Sequence, residues 1–204
     1  MADPKRGARP VSKLAAGRRP RADALANRAR LLEVAAEAFD RDGLSVSLDE
    51  IARRAGVGPG TVHRHFPTKA ALIDATLADR VRQIADEADR IARDDGVADA
   101  SPGDPTAALL AALTMLVDRG AASHALADRL RSESRDIDAA VAEPLADLRA
   151  TLGTLLRRAQ AAGGVRPDLD LDGLDAVLAA AHALKVHPSG GDALVQVLWD
   201  GLAR

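Results

Sequence analysis

The 204-residue chain contains no cysteine and no tyrosine, and its only aromatic side chains are Phe39, Phe66 and Trp199. Without cysteine there are no disulfides and no thiolate metal sites. With so few rings, the core must be built from Ala, Leu, Val and Ile. No apolar run reaches the ~18 residues that cross a bilayer. The N-terminus is basic but lacks the apolar stretch of a secretory signal, so a cytoplasmic protein with no membrane partner is expected. Alternating apolar and polar residues bounded by turn signals, the mark of a strand, are missing too. So are G-x-S-x-G, the P-loop and G-x-G-x-x-G.

What is present favours helices. Hydrophobic residues make up 47% of the chain, mostly Ala and Leu with few β-branched runs, which predicts an all-α fold of closely packed helices. The formal net charge of −2 hides an asymmetry. Residues 1–30 hold nine Lys and Arg against two Asp, whereas residues 70–204 carry a net −8. A positive end on a negative body suggests that one end meets a polyanion.

Along the chain, residues 1–22 are rich in Pro, Gly and Arg and show no helical period, so a disordered basic arm is expected there. From Asp23 the apolar residues Leu31, Leu32, Ala35, Ala38 and Phe39 recur at helical spacing until Gly43. Ser47-x-x-Glu50 reads as a capping box opening a short helix that ends at Gly56. Pro59 suits the first turn of the next, which runs to about Phe66. A long helix is expected over 69–93, a loop over 94–105, then helices at 106–119, 121–131, 143–162, 171–186 and 191–203. This gives about nine helices. It divides the chain into the arm, a helix–turn–helix domain over 23–68 and a larger domain over 69–204.

Residues 48–69, LDEIARRAGVGPGTVHRHFPTK, carry the chemistry. Two short helices that cross steeply need a small residue where their axes approach and a Gly where the turn takes positive φ. Ala52 and Gly56 meet those needs, while Ile51, Val57, Val62 and Phe66 point to the first helix. Pro59, Gly60, Thr61, His63 and Arg64 remain outside on a short face free of acid, suited to a major groove. By spacing alone an ordinary helical hairpin remains an alternative.

The run Ile51-Ala52, Ala55-Gly56-Val57, Gly60-Thr61, His65-Phe66 and Lys69 resembles the signature of the tetracycline-repressor (TetR) family, over about residues 28–75. The resemblance implies a sequence-specific transcriptional regulator, by family habit a repressor released from a palindromic operator by a small molecule. It further implies that Ser47 caps its helix and touches phosphate, and that Gly60 admits the DNA backbone. Thr61, His65 and Lys69 would bond phosphate, Lys69 with help from its helix dipole. Arg64 is the expected base reader, because Arg binds guanine bidentately. Two positions depart from the family pattern: His63 stands where Tyr is usual, and Gly58 replaces a common Ser cap.

Other chemistry finds little support in the sequence. His63 and His65 are two apart on a helix and cannot share an ion, and no other histidine has a suitably spaced partner, so neither metal nor cofactor is expected. Acids such as Asp118, Asp128, Glu133 and Asp136 alternate with Arg119, Arg129 and Arg135, as on a salt-bridged surface and not in a catalytic pair. A small helical enzyme and a ligand-independent architectural DNA binder are the alternatives. In the larger domain, the resemblance implies pairing of the last two helices across a two-fold. Leu174, Val177, Leu178, Ala181, Leu194, Leu198, Trp199 and Leu202 are the expected dimer contacts, with simple burial in the monomer as the alternative. An effector site is expected among Leu113, Met115, Leu116, Val117, His124, Leu126, Leu152 and His182.

Overall fold

The computed structural model describes residues 18–94, 104–132, 138–185 and 191–202. These hold eight α-helices and one 3-10 turn, nine helical elements, and no β-strand. The chain separates into two compact units, Met1–Lys69 and Ala70–Arg204.

The first unit contains α1 (Arg18–Asp42), the 3-10 turn Gly43–Ser45, α2 (Leu48–Ala55) and α3 (Pro59–His65). Helix α1 starts five residues before the expected Asp23, with Pro20 in its first turn where a missing N–H costs nothing. The helix therefore takes in residues 18–22 of the expected arm, and residues 1–17 lie outside the described residues. Gly43 stops α1 at φ 74°. Helix α2 packs on both α1 and α3. Leu31, Leu32, Ala35, Phe39, Ile51 and Val62 are each at most 5% exposed and form the small core.

The second unit begins within α4 (Lys69–Asp94), at its second residue, and continues through α5 (Pro105–Ser132), α6 (Asp138–Ala161), α7 (Leu171–Lys185) and α8 (Gly191–Asp200). Helix α5 packs on α6 and α7, and α7 on α8. Thr151 donates to Asp89 at 3.2 Å, and Arg158 donates to the Ala92 carbonyl at 2.8 Å, tying α6 to α4.

Two expected helix boundaries are corrected. Gly120 does not divide α5, which runs unbroken for 28 residues. A β-carbon at Gly120 would lie 2.7 Å from Nε2 of His182, so the gap left by the missing side chain is filled by a ring from α7. Pro144 does not open α6; the helix starts at Asp138 and carries Pro144 inside. Pro144 is buried on the same face as Val141 and Leu148, and that burial offsets the ~3 kcal/mol of an interior proline. The expected loop over 94–105 and the expected linker over 187–191 lie largely outside the described residues, and Gly191 is the first residue of α8.

Candidate functional site

The geometry of residues 47–69 follows from local hydrogen bonding. The Ser47 side chain accepts from the Glu50 N–H at 3.2 Å and caps α2. The other half of the expected capping box is replaced: Glu50 accepts from Arg53 at 2.7 and 2.8 Å and from Arg54 at 2.7 Å. Arg54 also pairs with Asp42, so α2 is bound to the end of α1. The two guanidiniums hold the Glu50 carboxyl at about 2, against an ordinary 4.5. At the other end Gly56 adopts φ 67°, with its N–H on the Arg53 carbonyl and the Val57 N–H on the Ala52 carbonyl. That pair of bonds is a Schellman cap, and it sets the turn into α3. Helix α3 starts on Gly58 with Pro59 in its first turn and no side-chain cap, as the departure at Gly58 implied.

The packing sorts the face of α3. Val62 and Phe66 are buried and Val57 half-buried, while Pro59, Gly60, His63 and Arg64 are exposed and Thr61, His65 and Lys69 half-exposed. An added β-carbon at Gly60 meets nothing within 4 Å, so the protein itself does not demand glycine there. Lys69 is the first residue of α4, where free N–H groups and the helix dipole favour an anion.

Two features were missed in the sequence. Asp49 of α2 lies 3.5 Å from His63, so the α3 face is not free of acid. The Arg28 guanidinium stacks over the Phe66 ring at 5.4 Å, adding a cation from α1. Neither contact follows from a spacing within one helix.

The second unit holds a partly open cavity of about 280 Å³. Leu77, Val81 and Ile84 of α4 line it at intervals of three and four, and so do Leu116, Gly120, Ser123 and Ala127 of α5. Val141, Leu145 and Leu148 of α6 and His182 of α7 complete the described wall. Of the expected pocket residues only Leu116 and His182 stand in it. Leu113, Val117, Leu126 and Leu152 are buried elsewhere among the helices and Met115 packs partly buried against the core, because in α5 the adjoining stripes are equally apolar. The side chain of His124 lies outside the described residues.

The expected dimer contacts are likewise divided. Leu174, Leu178, Ala181, Trp199 and Leu202 are at most 7% exposed within the single chain, filling its own core. Val177 and Leu198 are part-buried against that core. Leu194 is 36% and Val197 66% exposed. The outward face of α7 carries Ala176, Ala179, Ala180 and Ala183, which the choice of large apolar residues passed over.

Residues 31–76 match the family described as bacterial regulatory proteins, tetR family, and residues 104–204 match the transcriptional regulator SbtR-like C-terminal domain. The fold is similar to a TetR transcription regulatory protein from Mycobacterium vanbaalenii, with TM-score 0.71 and 43% identity over 91% of this chain and 99% of that one. It is also similar to a TetR transcriptional regulator from Streptomyces coelicolor, with TM-score 0.66 and 30% identity over 86% of this chain and 98% of that one. An HTH-type transcriptional regulator of Staphylococcus aureus is 43% identical over 53 residues, which are 26% of this chain and 29% of the relative's length.

Proposed function

The chain belongs to the TetR family of bacterial regulatory proteins, and from that premise we propose that it is a homodimeric repressor that leaves a palindromic operator when a small molecule fills the cavity of its second unit. The observation that carries the reading is the exposed face of α3. Gly60 and Arg64 are presented to solvent on a helix whose Schellman turn and ion-paired neighbour hold it rigidly. Arg64 reads a base; Ser47, Thr61, His63, His65 and Lys69 flank it as phosphate contacts, and Pro59, with no N–H to donate, packs beside them. Asp49 beside His63 keeps that ring near α2 and narrows what it reaches.

Two recognition helices on one face of B-DNA require a separation of ~34–36 Å or a multiple. A partner supplies the second. The surface supporting a dimer is the alanine face of α7 with Leu194 and Val197, where small side chains admit close helix approach. Helix α4 begins at Lys69 and carries Leu77, Val81 and Ile84 on the cavity wall, so a molecule in the cavity bears on the same helix as a phosphate contact. A difference of a few kcal/mol in its affinity for two helix arrangements is enough to release DNA.

The test uses Val197→Glu, because Leu198 packs on the core and its substitution confounds folding with pairing. A fragment recovered by genomic footprinting serves as the operator. Sedimentation is expected to show a folded monomer, and the same sample is expected to lose operator binding. A monomer that retains full affinity overturns the dimeric reading.

A further inference from the structure

The cavity of the second unit specifies the body of a ligand more clearly than its head. Its described wall carries no Asp, Glu, Lys or Arg and no Phe, Tyr or Trp. At roughly 30 Å³ per small group, the available space of about 280 Å³ holds on the order of ten non-hydrogen atoms. A flexible aliphatic chain fills such a space by rotating its single bonds, whereas a planar ring system finds only the small His182 imidazole, already held against backbone, to stack on. Of the two polar lining residues, His182 has its ring nitrogens 2.9 Å from the Leu178 carbonyl and 3.2 Å from the Leu116 carbonyl. A neutral imidazole donates to one of these carbonyls only, and that bond anchors the ring to backbone.

Ser123 is different. It is one of two buried polar side chains among the described residues, with Thr76. The Thr76 hydroxyl donates to the Leu72 carbonyl at 2.8 Å, one turn back along its own helix. Ser123 instead lines two spaces: the aliphatic cavity and a neighbouring cleft of about 320 Å³, walled also by Arg80, Gln83, Ile84 and Arg119. The two spaces share Ile84 and Ser123, so they abut. Two guanidiniums line the cleft and no acid does among the described residues. Glu87 stands beside it, 3.6 Å from Arg119, but its carboxylate also pairs with Arg90.

We infer that the effector is an amphipathic monoanion, an aliphatic chain of about eight carbons ending in a carboxylate, with the chain in the cavity and the head at Ser123. There the Ser123 hydroxyl donates to one carboxylate oxygen, and the Arg119 guanidinium satisfies the other. Arg is suited to this because its planar fork matches a carboxylate. The side chain of Arg119 is 61% exposed, so its attraction is weakened by salt. The inference rests on the reading of the second unit as effector-binding.

Octanoate, 1-octanol and octylammonium, equal in chain length, separate the terms when titrated calorimetrically into the full-length protein. Octanoate is expected to bind about tenfold more tightly than 1-octanol at low salt, as one charge-assisted contact provides. The advantage is expected to shrink as salt rises from about 50 to about 500 mM. Arg119→Gln, at an exposed position that folding tolerates, is expected to remove most of it, and Ser123→Ala part of it. Equal or tighter binding of 1-octanol or octylammonium overturns the inference, and so does an Arg119→Gln protein that keeps the octanoate preference. Binding of none of the three overturns it as well. Operator affinity of the unliganded protein, measured on the same sample, stands apart: its presence with no octanoate binding removes only the effector class, while its absence removes the regulator reading itself.

Discussion

The two units use the same small alphabet of aliphatic residues to opposite ends. In Met1–Lys69 Leu31, Leu32, Phe39, Val46, Ile51, Val62 and Phe66 are spent on a compact core, and the proposed DNA contacts are left to exposed groups on α3. In Ala70–Arg204 the helices are longer and rich in alanine, and they leave a cavity of about 280 Å³ unfilled. In the proposed function one unit acts through what it presents and the other through what it omits. A recognition surface demands rigidity of its support, whereas a ligand chamber demands that packing stop short of completion.

The sharpest way to break this contrast is to truncate one side chain in each unit. Leu31→Ala, at a fully buried site, is expected to cost ~2–5 kcal/mol and, in so small a unit, to abolish operator binding at growth temperature. Leu148→Ala widens an existing space and is expected at the low end of that range. Because Trp199 is the only tryptophan and belongs to the second unit, its fluorescence in urea follows that unit alone, while circular dichroism follows both. Comparable losses at the two sites would erase the distinction between a filled and an unfilled core.

A step down in size, Arg64→Ala is expected to cost ~1–3 kcal/mol on the specific site and to relax base preference, whereas Lys69→Ala weakens all sequences alike and lowers the salt slope by about 1. Equal losses on specific and random DNA for Arg64→Ala would remove it as the base reader. Next come two glycines that both face open space. Gly56→Ala, forced into φ 67°, is expected to lose about 1–2 kcal/mol of stability. Gly60→Ala, inside α3 at an ordinary φ, should not lower thermal melting, and should raise it slightly if anything, while reducing DNA affinity. Melting and gel-shift titrations on the same pair distinguish the two causes.

The smallest effect is electrostatic. The Glu50 carboxyl is held at about 2 by its bonds to Arg53 and Arg54, below its ordinary 4.5. A depressed carboxylate stabilises fully above its unfolded value and loses that contribution as pH falls through its folded one. The gap in melting temperature between wild type and Glu50→Gln is therefore expected to be present at neutral pH and to close as acid is added from about pH 4.5 toward 2. A gap independent of pH would assign the difference to helix propensity instead.

The sequence made the first unit legible because its determinants are local. Ser47, Gly56, Pro59 and the spacing of Ile51, Val62 and Phe66 act within a few residues, and each does in the fold what its chemistry suggests. The second unit was harder to read because its determinants are pairwise and distant. Nothing near Gly120 says that a ring from residue 182 will complete the helix there. Leu113 and Leu116 are alike in sequence, yet one is core and the other cavity wall. Large size suggested Leu174 and Trp199 for the partner surface, but size is also what the monomer core recruits, so the outward face fell to alanines. Asp49 and His63 met across a turn that the spacing rules do not reach.

The His182 ring beside Gly120 has a further consequence in time. Glycine within a helix lowers local stability by roughly 1 kcal/mol relative to alanine, and here the loss is compensated by a neighbour on another helix, not by α5 itself. Whenever α7 moves away, that compensation lapses and α5 is free to part where Gly120 lies. Amide hydrogens just after Gly120 should then exchange with solvent earlier than those around Leu109 and Leu113, and mutation of His182 to alanine should hasten them further. Such an opening would divide the cavity wall, because Leu116 and Ser123 line it on either side of Gly120.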